Sequence, residues 1–488
     1  MEIKKDDIIE VTIESTGFEG KSVARVDGMV VFVEGAIAGD VVTAKVYKTK
    51  KKYAEAKLVK VITPSSQRTE ARCSYFGVCG GCKWQHVEYS TQLQYKQQHV
   101  ADALEHIGGF KGLTVLSIVG SDEIFYYRNK LEFSFSDKRW LTEKDMDAIP
   151  AVEGKVLSAD DDESDDVQNV PMTIAAGFHV PQRWDKVLDI RECFLMSEMS
   201  SGILNTVREF GVKNNIPAFS PENETGYFRN LVIREGKNTG DVMVNLVTFE
   251  DSPEVMERLT KELREKFPAI TTIINNVTKR KSQVAVGEYE KIYHGDGLIH
   301  DTLGSHRFQI SANSFFQTNT KQAEKLYSIA KEFAGLKPTD LVYDLYCGTG
   351  SIGIFISDVV KQVVGIELVE SSILNARKNA ELNNISNIEF LAGDLKDLLT
   401  KDIEWRSRYA NPDVIIVDPP RSGMHPKAVE ELGRMKVPTI VYVSCNPATL
   451  ARDLQMLAKD GYTVEKVQPV DMFPHTYHIE CVAKLVRA

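Results

Sequence analysis

The chain has 488 residues, 43% of them hydrophobic and 26% charged, which allows roughly three or four domains with cores of their own. No apolar run approaches a membrane span and residues 1–7 are too charged for a secretory leader, so the expectation is a cytoplasmic, monomeric protein with no membrane partner. A net charge of -10 excludes nucleic-acid binding driven by bulk charge and leaves only local basic patches for that role.

Residues 1–62 alternate apolar and polar positions in short runs at 8–13, 29–33, 40–46 and 54–62, with Gly17, Gly20, Gly28, Gly35 and Gly39 between them. Short alternating runs bounded by turn residues predict a small antiparallel β-barrel, OB-like in class. Lys45, Lys48, Lys50, Lys51, Lys52, Lys57 and Lys60 stand against Glu55 alone, with Tyr47 and Tyr53 interleaved. Such a face suits an RNA backbone and its bases, with Lys50, Lys51 and Lys52 as candidate contacts, although a solvated lysine-rich hairpin has the same composition.

A linker at 64–66 leads into Cys73-x5-Cys79-x2-Cys82, where Gly80 and Gly81 let the backbone turn so that the sulfurs can face one centre. The chain has seven cysteines, an odd number, which points to metal ligation plus reduced thiols instead of a disulfide framework. Cys193 is the remaining cysteine before the C-terminal third and the candidate fourth ligand, with His86 competing; spacing alone leaves both zinc and iron–sulfur open. A helix is expected over 89–107. Tyr126, Tyr127, Arg128, Asn129 and Lys130 then open a strand at 131–135, and Arg128 and Lys130 join the RNA-contact candidates. Residues 137–172 turn polar, almost continuously acidic at 160–166, and read as a flexible insertion. Patterning resumes with a hairpin of 231–234 and 241–247 and a helix at 253–266, so 63–300 is expected to form a central α/β domain (mixed α+β) with a four-cysteine site.

From 301 to 488 strands and helices alternate, the mark of a doubly wound, Rossmann-like α/β domain. Strand 340–345 runs into Tyr346-Cys347-Gly348-Thr349-Gly350-Ser351-Ile352-Gly353, a glycine turn that lets a cofactor approach the backbone. Strand 361–366 ends in Glu367, placed for ribose hydroxyls of NAD or S-adenosylmethionine. Strand 388–391 ends at Gly393-Asp394, within reach of an adenine edge. Strand 413–417 ends in Asp418-Pro419-Pro420-Arg421. Enzymes that methylate exocyclic amino groups commonly place an aromatic after such an acid-Pro-Pro turn, and Arg421 weakens that reading. Strand 438–443 delivers Cys445 to a tight turn before a helix at 448–457, where a thiol can become a thiolate. A small core hydrophobe is the plainer role for one such cysteine.

The runs Phe315-Phe316-Gln317-Thr318-Asn319, Asp344-Leu345-Tyr346-Cys347-Gly348-Thr349-Gly350, Asp418-Pro419-Pro420-Arg421, Ser444-Cys445-Asn446-Pro447 and 471–480 (DMFPHTYHIE) resemble the RNA uracil-5-methyltransferase family. With the N-terminal barrel, Cys73, Cys79, Cys82 and Cys193 are similar to the members of that family that act on 23S ribosomal RNA and carry a TRAM domain and a 4Fe-4S cluster. The acidic insertion departs from the pattern, as does Ser351, where some relatives place an asparagine. The resemblance implies Cys445 as a nucleophile that adds to carbon 6 of uracil, making carbon 5 able to take a methyl group, and Glu480 as the base that then removes the carbon 5 proton. Without the motif, Glu480 would read as a surface glutamate at the start of a last strand, 479–485. The resemblance also implies S-adenosylmethionine contacts at Gln317, Tyr346, Ser351, Glu367, Asp394 and Asp418, and lets Phe315 stack on a displaced base. The expected activity is uracil-5 methylation of 23S rRNA, with a tRNA T-loop uridine as the alternative substrate. An inactive RNA-binding scaffold and an NAD-dependent oxidoreductase are the readings from other classes, and neither has a use for Cys445 with Glu480.

Overall fold

The computed structural model describes residues 3–142, 174–181, 186–281, 285–400 and 408–487. The acidic run 160–166, and with it most of the expected insertion, lies outside the described residues.

In the N-terminal unit the chain reverses at Gly28, Gly35 and Gly39, whose φ values of 85°, 86° and 87° carry no Cβ penalty. Six strands form one sheet in the order Ile8–Thr12, Val41–Thr49, Tyr53–Thr63, Met29–Glu34, Ser22–Val26 and Ser15–Thr16. Alternate residues such as Val31, Val33, Val42, Ala44 and Val46 fill its core. Met29–Glu34 pairs in parallel with Tyr53–Thr63, a long-range pairing that local alternation does not show.

The central unit is an eight-stranded sheet in the order Tyr289–His294, Thr272–Val277, Val242–Thr248, Phe228–Glu235, Lys130–Ser136, Ala175–His179, Val187–Asp189 and Arg139–Trp140. Helices Glu198–Lys213 and Pro253–Lys266 cover it; Pro253 sits in the first turn, where its missing N–H costs nothing.

The C-terminal sheet has the order Ile388–Ala392, Gln362–Glu367, Leu341–Leu345, Val414–Val417, Thr439–Ser444, Glu480–Arg487 and Tyr462–Val470. Its first five strands are parallel, and Glu480–Arg487 runs antiparallel to both of its neighbours, Thr439–Ser444 and Tyr462–Val470. Continuous apolar strands are buried on both faces, as parallel central strands require. The last strand of the chain thus inserts between two earlier ones.

Residues 89–119 cross the expected boundary between the central and C-terminal units. Helix Tyr89–Asp102 widens into a π turn at Ala103–Ile107, and Val100 and Leu104 are buried with Ile440, Leu450 and Val467. Leu116 N–H donates to Val467 O at 2.8 Å and Val119 N–H to Pro469 O at 3.0 Å, so this stretch lines the edge of the C-terminal sheet. Among the described residues, no helix is long and apolar enough to cross a membrane.

Candidate active site

The parallel strands end on one side of the sheet, and most of the expected residues gather there. The first strand end is bent sharply: Tyr346 has φ 63° and Gly350 φ 77°. A Cβ on Gly350 would lie 2.6 Å from Phe390, so this position must be glycine. Asp344 is fully buried; its Oδ2 accepts the Gly353 N–H at 2.8 Å while Oδ1 has no partner. Burial pushes Asp344 up to about 7, helped by Asp418 and Glu367, and burial alone takes Asp418 to about 7. Glu367 accepts the N–H groups of Gly348 (3.1 Å) and Val369 (2.9 Å), which fixes the acid beside the glycine turn. Asp394 is exposed at the next strand end and, after burial, is the largest contributor to the raised Tyr346 phenol. Ser351 and Gln317 come together through a residue the sequence did not single out: the buried Tyr327 hydroxyl lies 3.0 Å from Ser351 Oγ and reaches the Gln317 side chain.

These residues fit S-adenosylmethionine. The buried Asp344, with its orphaned oxygen, and the half-buried Asp418 suit a cationic ligand, and no atom lies within 4 Å of where a Gly348 Cβ would stand. Leu368 and Val369, exposed by 66% and 49% directly after Glu367, offer an apolar face for a flat base. That apolar pair after a strand-end acid was the available sequence signal.

Cys445 and Glu480 are neighbours because of sheet register. Strand Thr439–Ser444 pairs antiparallel with Glu480–Arg487, ending at Ser444↔Cys481, and the next position on each strand is Cys445 and Glu480. Asn446 caps the following helix, Pro447–Lys459, by accepting the Ala448 N–H, and its amide donates to Arg421 O at 3.1 Å. Glu480 is 6% exposed, far from a surface glutamate. Burial, reinforced by Asp418, holds its carboxyl well above the usual range.

Cys445 is half-buried, and burial, then Glu480 and Asp418, push its thiol up to about 12; Arg421 pulls the other way. Apolar cover and the two carboxylates outweigh Arg421, so the surroundings favour the protonated thiol. Arg421, which stands where amino-methylating enzymes place an aromatic, acts on Cys445 as a cation.

Cys73, Cys79, Cys82 and Cys193 line one cavity of about 110 Å³, together with Arg128. Each thiol is raised by burial, Cys79 and Cys193 to about 12, and the charges of the other cysteines add to the rise at Cys79, Cys82 and Cys193. Gly81 N–H donates to Cys79 Sγ at 3.4 Å and Gln85 Nε2 to Cys82 Sγ at 3.2 Å, bonds that favour thiolates. The buried Arg128 Nε has no partner. No group of three or more His, Cys, Asp or Glu side chains that could hold a metal ion is found among the described residues. His86 is not on the cavity wall; its ring packs on Phe76 at 4.8 Å.

Of the RNA-contact candidates, Lys50, Lys51 and Lys52 are exposed on the turn between two barrel strands. Glu55 instead neutralises Lys48 (2.5 Å) and Lys21 (3.1 Å). Phe315 is 62% exposed while Phe316 takes the core position. Arg128 lies over the Phe473 ring at 5.5 Å, and Lys130 stands opposite Arg234 in the sheet.

Residues 237–488 match the family described as tRNA (uracil-5-)-methyltransferase, and residues 5–59 match the TRAM domain. The chain is similar to an uncharacterized RNA methyltransferase of Chlorobaculum tepidum, 43% identical over 488 residues that cover 99% of this chain and 97% of that protein. A second, from Porphyromonas gingivalis, is 43% identical over 473 residues, 96% and 98% of the two chains. Among solved structures it resembles the tRNA (uracil-54, C5)-methyltransferase of Pyrococcus abyssi in complex with S-adenosyl-L-homocysteine, with TM-score 0.72, 30% identity and coverage of 98% and 99%. Fold and strand-end site together define an S-adenosylmethionine-dependent RNA methyltransferase. The chain belongs to the tRNA (uracil-5-)-methyltransferase family, with an N-terminal TRAM domain.

Proposed function

We propose that this enzyme methylates carbon 5 of a uridine in RNA through a covalent adduct with Cys445. The observation that carries the reading is the adjacency of Cys445 and Glu480 across paired strands, beside Arg421 and Asp418. Cys445 gives its proton to solvent, its thiolate favoured by Arg421, and the sulfur bonds to carbon 6 of uracil as the carbon 5–carbon 6 π electrons move toward oxygen 4 to make an enolate. Bound S-adenosylmethionine supplies the electrophilic methyl group that carbon 5 takes. Glu480, having released its own proton to solvent beforehand, accepts the carbon 5 proton; the enolate re-forms, the carbon–sulfur bond breaks and the Cys445 thiolate leaves. Phe315, exposed beside the glycine turn, suits a base withdrawn from its stack.

The TRAM domain and the four converging cysteines favour 23S rRNA as substrate. A T-loop uridine of tRNA is the second reading, favoured by the full-length likeness to a tRNA (uracil-54, C5)-methyltransferase. Cys73, Cys79, Cys82 and Cys193 would hold a 4Fe-4S cluster: four thiols around a cavity, with an unpaired guanidinium nitrogen on its wall, suit an anionic multi-atom group better than one zinc ion. Such a cluster would tie the 73–82 segment to residue 193, and the methyl transfer asks no electron of it.

RNA containing 5-fluorouridine tests the chemistry, because fluorine cannot leave as a proton. Wild type with cofactor should form a stable protein–RNA adduct and Cys445→Ala none; a wild type that forms none defeats the reading. Mapping 5-methyluridine in RNA from cells with and without the protein decides between rRNA and tRNA, and anaerobic metal analysis that finds zinc without iron defeats the cluster.

A further inference from the structure

Strands Tyr462–Val470 and Glu480–Arg487 pair as far as Val470↔Glu480, so loop 471–479 caps a hairpin and its last residue abuts the proposed base. At the apex, His475 has φ 66°, a left-handed conformation that a residue with a side chain keeps only when its surroundings enforce it. Gln92, fully buried on helix Tyr89–Asp102, supplies that enforcement. Its Oε1 accepts the His475 N–H at 2.8 Å and its Nε2 lies 3.2 Å from His475 Nδ1. The same Nε2 donates to Trp84 O at 3.0 Å and Val87 O at 2.9 Å, so one amide joins the stretch after the cysteines to the loop before Glu480. Lys83 and Trp84 N–H groups donate to His475 O at 2.8 and 3.0 Å, and the Tyr127 hydroxyl donates to Pro474 O at 3.1 Å.

These bonds fall on the segment that leads to Glu480, whereas Cys445 is set by its own strand and the Asn446 cap. We propose that Gln92 and Tyr127 are positioning residues for the elimination half of the reaction: they fix loop 471–479 so that the Glu480 carboxylate faces carbon 5 of the adduct. The inference rests on the covalent reading above. It separates the two halves of catalysis, since a loosened loop leaves addition at Cys445 intact and slows proton removal.

Gln92→Met keeps length and packing while deleting every polar contact. Turnover on ordinary RNA should fall about 100-fold, the cost of roughly an ångström of misplacement, and protein–RNA adduct should accumulate. Trapping of 5-fluorouridine RNA should stay near the wild-type level, because it needs no proton removal. Tyr127→Phe should shift both readouts the same way by less, and Gln98→Ala, on an exposed part of the same helix, should change neither. Normal turnover in Gln92→Met overturns the inference, and so does parallel loss of trapping and turnover. If Gln92→Met does not fold, Tyr127→Phe decides by the same two readouts. A wild type that cannot trap the fluorinated RNA overturns the covalent reading and this inference with it; a trapping wild type beside a normal Gln92→Met overturns the inference alone.

Discussion

Lys96 and Asp471 form an ion pair of 2.6 Å in which neither side chain is exposed. Asp471 also accepts the Tyr89 hydroxyl at 2.9 Å and the Phe473 N–H at 3.0 Å, and Lys96 Nζ donates to Phe473 O at 3.0 Å. The pair therefore docks helix Tyr89–Asp102 against the base of the loop that precedes Glu480. Burial lowers the Lys96 ammonium and Asp471 opposes that, so the charged form depends on its partner.

Removing one member leaves the other charge buried and unpaired. Lys96→Met should cost about 3–5 kcal/mol of stability. Equilibrium denaturation of the full chain checks this, and a change within experimental error would mean that the pair is not buried in solution.

The raised thiol makes Cys445 slow to alkylate. Its thiolate fraction, and so its rate with iodoacetamide, should climb about tenfold per pH unit above neutrality toward its value of about 12. Arg421→Ala should slow the reaction further at each pH, because a cation that opposes the rise is gone. Peptide mapping after timed labelling separates Cys445 from the buried Cys347 and Cys481.

Asp344 and Asp418, each at about 7 against an ordinary 3.8, hold protons in the free protein that the unfolded chain releases. Their contribution to folding is thus fullest below the unfolded value and is lost as pH rises through about 7. A cationic ligand favours the ionised carboxylates, so S-adenosylmethionine should bind more tightly as pH rises from 5.5 toward 8, with release of about one proton near pH 6. Calorimetry in buffers of different ionisation enthalpy reads that proton directly; uptake in place of release would contradict the assignment.

Tyr327→Phe deletes the hydroxyl that joins Ser351 and Gln317 and leaves the ring in the core. Losing one such bond is worth about 1 kcal/mol, so cofactor affinity should drop about fivefold with little loss of fold stability. Titration with S-adenosylhomocysteine measures the drop.

The barrel turn should carry part of the RNA affinity and none of the chemistry. Replacing Lys50, Lys51 and Lys52 by alanine should weaken RNA binding and flatten its dependence on log salt by about one for each phosphate that is no longer neutralised. The rate at saturating RNA should hold. An unchanged salt slope would place the RNA path elsewhere.

What could be read from sequence was what is local. Alternation, turn glycines and strand-end residues located most elements to within a few positions, because those signals lie within one strand or helix. Long-range pairing is different: no spacing shows that Glu480–Arg487 slips between Thr439–Ser444 and Tyr462–Val470, although that insertion is what sets Cys445 beside Glu480. Gln92 and Tyr327 escaped for a related reason. Each is an ordinary polar residue on a helix, and its role comes from partners that fold beside it from distant parts of the chain. The upward shift of the Cys445 thiol was hidden too, since it comes from burial and then from carboxylates contributed by two other strands.

The docking of residues 89–119 on the C-terminal sheet also limits how this protein can be divided. A fragment starting at 301 would lose the Lys96 counter-charge, the Gln92 grip and the chain that lines Val467 and Pro469. The barrel is tied to the same stretch, through the Arg68–Asp40 ion pair of 2.7 Å and through Ile37, which is buried with Trp84 and Val87. The C-terminal sheet and the cysteine-bearing segment before it are thus bound to fold as one cooperative body.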